Sequence, residues 1–133
     1  KKFDRVLVDA PCTGTGTWRR DPDTRAKYSD LDLENMMSLQ DRILASAARL
    51  TKPGGCLVYV TCSLLREENE DRIIALLSRR KDYKIVPIPK IWDEQVTVKG
   101  GGKCPTNSEM LRLTPKEHNT DGFFAAVLRR DLD

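Results

Sequence analysis

Two apolar, β-branched runs, FDRVLVD (residues 3–9) and CLVYVT (residues 56–61), each stop at or just short of a cysteine. Short continuous apolar runs bounded by turn residues fit strands buried on both faces, the kind that build helix-covered parallel sheets. The first run ends in Asp9-Ala10-Pro11-Cys12, followed by Gly14 and Gly16, and the second ends in Thr61-Cys62-Ser63. Parallel strands of an open α/β sheet end on one side, and the crevice beyond their carboxyl ends is where such sheets take ligands. Cys12 and Cys62 are therefore expected to face one pocket as a catalytic pair.

The segments between the strands read as helices. From Leu31 to Leu50 apolar residues recur at Leu33, Met36, Met37, Ile43, Leu44, Ala47 and Leu50, with Ser29 or Asp30 available as a cap. Lys52-Pro53-Gly54-Gly55 stops that helix, since proline cannot continue it and glycine supplies a left-handed turn. A second helix is predicted over residues 66–80, with Glu67, Glu68, Glu70 and Asp71 at its start and Arg79, Arg80 and Lys81 at its end, matching the macrodipole. KIVPI (84–88) reads as a short strand that Pro87 and Pro89 place at an edge, residues 90–121 as mostly irregular, and GFFAAVLRR from Gly122 as the last strand. The order β-α-β-α-β-loop-β is half of a doubly wound sheet, and no internal repeat interrupts it.

Composition narrows the class without naming a function. The 133 residues are 39% hydrophobic and 32% charged, and no apolar run approaches the ~20 residues of a bilayer span. Membrane insertion and a secretory leader are not expected. Four cysteines without metal-ligand spacing point to reduced thiols in the cytoplasm, not to a disulfide framework or a zinc site. A net charge of +3 permits a nucleic-acid partner without requiring one.

A thiolate in such a crevice can do covalent chemistry on a pyrimidine. Adding it to carbon 6 makes carbon 5 enamine-like and able to accept a methyl group. Cys62, Asp9 and Cys12 suit the roles of nucleophile, base-edge contact and release group. A free thiol near pKa ~8.5 is only slightly ionised at neutral pH, so help is expected from the amino end of the helix starting near Arg66. Arg19, Arg20, Arg25 and Lys27, with Trp18 among them, suit either an RNA backbone or a solvated loop. Pro11 fixes the turn, and Phe123 or Phe124 is core unless one reaches the pocket. Cys56 is expected to pack, Cys104 has no implied partner, and His118 is expected to be structural or phosphate-facing.

DAPCTGTGTWRRDP, LQDRIL, TKPGGCLVYVTCSLLREENE and RLTPKEHNTDGFFAAVL together resemble the Sun/Nop (RsmB/Sun) family of S-adenosylmethionine-dependent RNA cytosine-5 methyltransferases. The resemblance implies Cys62 as nucleophile, Cys12 in product release and Asp9 near cofactor and base, with Pro11, Arg19, Arg20 and Phe123 toward the RNA. It implies the carboxyl-terminal part of a Rossmann-like class I methyltransferase sheet, mostly parallel with an antiparallel last strand. The glycine-rich loop and acidic residue with which such enzymes hold the cofactor are not in residues 1–133, so the cofactor site is expected to be incomplete and the isolated chain inactive. An open strand edge at FDRVLVD would favour self-association. A DNA cytosine-5 methyltransferase attacking through Cys12, and a non-catalytic interaction fragment, are the competing readings.

Overall fold

The computed structural model describes residues 1–23 and 28–132. β1 (Phe3–Asp9) and β2 (Thr51–Thr61) pair in parallel, with Val6 opposite Leu57 and Asp9 opposite Val60. β5 (Phe123–Arg130) runs antiparallel along the other side of β2, Thr61 opposite Phe124. The far edge of β5 carries β3 (Tyr83–Ile85) beside its end and β4 (Leu111–Leu113) beside its start. Every strand but β5 therefore points one way, as expected of a mostly parallel sheet with an antiparallel last strand.

Alternation along β2 divides the core. Leu57, Tyr59 and Thr61 are buried on the face that receives α1 (Asp30–Leu50) and α2 (Glu70–Arg79), where Leu44, Ala47, Ala48, Ile73 and Leu76 meet them. Val60 and Val127 face the other way, into a smaller cluster with Ile88, Ile91, Trp92 and Leu111. α1 begins where expected. Ser29 Oγ accepts from the Asp32 amide and Asp32 Oδ2 accepts from the Ser29 amide, a reciprocal cap that satisfies donors at the helix start.

Four expectations need correction. β2 starts at Thr51, not Cys56: the ladder jumps from Phe3–Thr51 to Arg5–Cys56. Residues 52–55 form the irregularity between those pairs, with Gly54 at φ 78°. The second helix is not continuous from residue 66. A single 3-10 turn, Arg66–Glu68, precedes α2, with a break at Asn69, because the Glu68 and Asn69 side chains turn inward and are buried. KIVPI is a strand only through Ile85; Pro87 and Pro89 instead open α3 (Ile88–Gln95), since proline suits a helix's first turn, where no amide bond is lost. Half of residues 90–121 lies in regular elements, namely most of α3, a 3-10 turn at Thr97–Lys99, β4 and the single turn α4 (Pro115–His118), and the irregular run is confined mainly to 100–110.

An ion cluster closes the end of the sheet remote from the cysteines. Asp82 accepts from Arg80 Nε (2.9 Å) and Nη2 (2.7 Å) and from Arg130 Nε (2.9 Å), while Arg130 Nη1 reaches the Thr51 carbonyl at 2.7 Å. The Arg80 hydrogen bonds, joined by Arg130, hold the Asp82 carboxyl at about 2, below its usual 3.8. A depressed carboxyl stabilises the fold above its unfolded pKa and loses that contribution as pH falls through the folded one. Asp82→Asn is expected to cost about 1 kcal/mol at pH 7, the solvent contact of the cluster keeping it modest. In urea titrations the deficit should shrink between pH 3.8 and 2, and equal stability at pH 7 would contradict the assignment.

Candidate functional site

The parallel register of β1 and β2 sets the site. Asp9 lies opposite Val60, the Ala10 amide donates to the Val60 carbonyl at 2.9 Å, and both chains turn away just beyond. Cys12 and Cys62, 50 residues apart in sequence, come together with their Sγ atoms 3.3 Å apart, each half-buried. That is hydrogen-bond distance for sulfur, so one thiol donates to the other.

The pair divides its protons unequally. The hydrogen bond from Cys12 lowers the Cys62 thiol from 9.0 to about 7, against the opposing effects of burial and of the nearby Asp9 and Glu68 charges. Cys12 moves strongly upward, first through that same hydrogen bond, then through burial and the charge of Cys62. The shifts favour negative charge on Cys62 and the proton on Cys12, and the two thiols titrate as a unit. Thiolate stabilisation thus comes from the second cysteine, where sequence reasoning assigned it to a helix start; α2 does not begin until Glu70.

A buried polar cluster, which sequence reasoning missed, holds the two turns. Glu68 is fully buried, and four donors converge on its carboxylate: the Thr13 amide (2.8 Å), Thr13 Oγ1 (2.7 Å), Gln40 Nε2 (3.2 Å) and Ser63 Oγ. Its own carbonyl accepts from Tyr59 Oη at 2.7 Å. Gln40 also donates to the Pro11 carbonyl at 2.9 Å. Asn69 Nδ2 donates to the Ser63 carbonyl, and Asn69 Oδ1 accepts from Thr61 Oγ1. No local pattern signals these roles, because the partners of Glu68 lie up to 55 residues away.

Backbone contacts bring in β5. The Gly16 amide donates to the Cys62 carbonyl at 2.8 Å and the Gly122 amide to the Gly16 carbonyl at 2.7 Å. A Cβ on Gly16 would stand 2.5 Å from the Cys62 carbonyl oxygen and 2.6 Å from Gly122 Cα, so only glycine fits. Phe123, next in sequence, is 36% exposed beside this clasp, whereas Phe124 is buried in the core.

The remaining expected site residues are mostly exposed. Asp9 is exposed at the end of β1, and its carboxylate has no hydrogen bond or ion pair among the described residues. Pro11 and Arg19 are exposed, while Arg20 pairs with Asp121 at 3.1 Å. Arg25 and Lys27 lie outside the described residues. His118 Nδ1 accepts from the Thr114 amide at 3.0 Å. Cys56 is half-buried, and Cys104 does have a partner, donating to the Thr106 carbonyl at 3.2 Å while packing against the smaller cluster.

Gly16→Ala tests the clasp against a matched control. It is expected to lower stability by about 2 kcal/mol or more, since the atoms in the way are backbone. Gly102→Ala, with nothing within 4 Å of the new Cβ, should stay within about 0.5 kcal/mol of the parent. Thermal unfolding of both variants is the measurement, and equal melting would contradict the close approach.

The chain is similar to known proteins over nearly its whole length. Ribosomal RNA small subunit methyltransferase B of Shewanella oneidensis is 39% identical over 128 residues, covering 96% of this chain and 27% of that protein. A probable ribosomal RNA small subunit methyltransferase B of a Synechocystis species is 38% identical over 127 residues, again 27% of its length. The chain thus spans about a quarter of the curated relatives it matches. Among solved structures, a methyltransferase homologue from Pyrococcus horikoshii superimposes with a TM-score of 0.72 at 36% identity, over 97% of this chain and 39% of that one. NSun6 from Pyrococcus horikoshii, solved with SFG, gives 0.72 at 29% identity, over 99% of this chain and 31% of that one. The family described as 16S rRNA methyltransferase RsmB/F matches residues 1–129, from the start of β1 almost to the end of β5 and through both cysteine turns. With so complete a match, the chain belongs to the RsmB/F family of 16S rRNA methyltransferases.

Proposed function

We propose that this chain carries the catalytic cysteine pair of an RNA methyltransferase acting on carbon 5 of cytosine, within a longer protein that works on ribosomal RNA in the cytoplasm. The observation that carries the reading is the 3.3 Å contact between Cys12 and Cys62 beyond the ends of two parallel strands. Cys62, with its proton held off by Cys12, adds to carbon 6 of the base, and the carbon 5–carbon 6 double bond becomes the electron pair with which carbon 5 takes up a methyl group. The proton on carbon 5 must then leave as the carbon–sulfur bond breaks. Once the Cys62 sulfur is bonded to carbon, it no longer carries the charge that keeps the proton on Cys12. Cys12 becomes easier to ionise when a base is needed, which suits it to product release.

S-adenosylmethionine would supply the methyl group as an electrophile on a cationic sulfur. Asp9 suits that charge: it lines a cleft of about 480 Å³ between β1 and α1, with Val8, Pro11, Leu39 and Ile43. Other parts of the longer protein would complete the cofactor site. Pro11, Arg19, Arg20 and Phe123, all exposed, are the residues proposed to meet the RNA. The family match to ribosomal RNA methyltransferases favours this reading over a DNA methyltransferase attacking through Cys12.

In the longer protein, Cys62→Ala is expected to reduce methylation of 16S rRNA by on the order of 10³-fold and to abolish the covalent protein–RNA adduct. Cys12→Ala should accumulate that adduct instead. An adduct lost with Cys12→Ala and kept with Cys62→Ala would move attack to Cys12 and overturn the assignment. The 133-residue chain alone is expected to bind S-adenosylmethionine weakly in calorimetry. It is also expected to self-associate through β1, where Leu7 is 68% exposed; a monomer at high concentration in sedimentation would contradict the second expectation.

A further inference from the structure

Glu68 belongs to no step of the chemistry above, yet it is the most heavily bonded buried group in the site. Its two oxygens join turns from different strands: Oε1 accepts from the Thr13 amide and Gln40 Nε2, and Oε2 accepts from the Thr13 and Ser63 hydroxyls. Thr13 follows Cys12 and Ser63 follows Cys62 in the chain. The carboxylate is thus bonded to the immediate neighbour of each thiol, and the Tyr59 hydroxyl pins its own backbone.

We propose that Glu68 is a positioning residue for the cysteine pair: its buried carboxylate ties the Cys12 turn to the Cys62 turn and thereby holds the two sulfurs at 3.3 Å. The proposal rests on the reading of Cys62 as nucleophile. A tie of this kind acts through length and donor geometry more than through charge, and the two are separable. Glutamine keeps the length; its carbonyl can accept from the Thr13 amide and Gln40, and its NH2 group can donate to the two hydroxyls, which turn to accept. Aspartate keeps the charge but is one methylene short of reaching both turns. The negative charge of Glu68 by itself opposes ionisation of Cys62, so loss of charge and loss of the tie move that thiol in opposite directions. Among the described residues, the other titratable groups that act on the pair are Asp9, which also opposes ionisation of Cys62, and Tyr59, whose hydroxyl burial pushes upward.

The test is the pH dependence of iodoacetamide alkylation of each cysteine in the chain, read by peptide mapping, with thermal unfolding recorded for every variant. In the parent, Cys62 should react with a midpoint near 7 and faster than Cys56 at neutral pH. Glu68→Asp should move the Cys62 midpoint up toward 9.0 and slow its alkylation at pH 7 by about tenfold or more. Glu68→Gln should leave the midpoint at or below the parent value. A folded Glu68→Asp with an unchanged Cys62 midpoint overturns the proposal, and so does a midpoint raised equally by both variants. Should Glu68→Asp fail to fold, Thr13→Ala, which removes one hydroxyl and keeps the amide bond, decides: a smaller upward shift supports the tie and no shift overturns it. A parent Cys62 that reacts no faster than Cys56 overturns the nucleophile assignment itself, and this inference with it.

Discussion

The parallel pairing of β1 with β2 is the constraint on which the rest of the site depends. It aligns Asp9 with Val60, so both strands end at the same level, and their turns leave the sheet side by side. Parallel neighbours need a crossover between them, and α1 supplies it, covering the face on which Leu57 and Tyr59 are buried. The same helix delivers Gln40 to the Pro11 carbonyl and to Glu68. A slip of one residue in this register would invert the faces of β2 and carry Cys62 away from Cys12.

Burying polar groups beside the cysteine pair carries an energetic risk, because each unsatisfied donor or acceptor in the interior costs on the order of 1–3 kcal/mol. Here most of the groups are paired: Glu68 accepts four side-chain and backbone donors, and Asn69 bridges Thr61 and the Ser63 carbonyl, while Gln40 Oε1 alone in the cluster is buried without a hydrogen bond among the described residues. The result is rigidity where two sulfurs must stay in hydrogen-bond contact. Asp9, Pro11, Arg19 and Phe123, by contrast, remain exposed, as suits groups proposed to engage a partner. The ion cluster around Asp82 secures the opposite end of the sheet, where no catalytic demand competes with stability.

Sequence reasoning found what is encoded locally. FDRVLVD coincides with β1 and FFAAVLRR with β5, because apolar runs between turn residues need no distant partner to be recognised. The ends of those runs placed Cys12 and Cys62 in one crevice. Glu68 was read as a charge at a helix start, since its acidic neighbours Glu67, Glu70 and Asp71 do sit there; its burial depends on Thr13 and Gln40, far away in the chain. Pro87 and Pro89 illustrate a second limit. The same prolines that suggested an edge strand also favour a helix's first turn, and Ile88, Ile91 and Trp92, which share one helical face, decide for the helix by packing against β5. Source of charge control was likewise illegible: the thiolate of Cys62 is favoured by Cys12, a contact that exists only once the sheet has formed.

The central claim is that Cys12 and Cys62 form a contact pair in the folded chain, and a trivalent arsenical that bridges two adjacent thiols tests it most directly. Phenylarsine oxide should bind one equivalent per chain, protect Cys12 and Cys62 together from alkylation, and leave Cys56 and Cys104 reactive; either Cys12→Ser or Cys62→Ser alone should abolish the binding. Independent alkylation of Cys12 and Cys62 in the presence of the arsenical, or bridging through Cys56 or Cys104, would contradict the account.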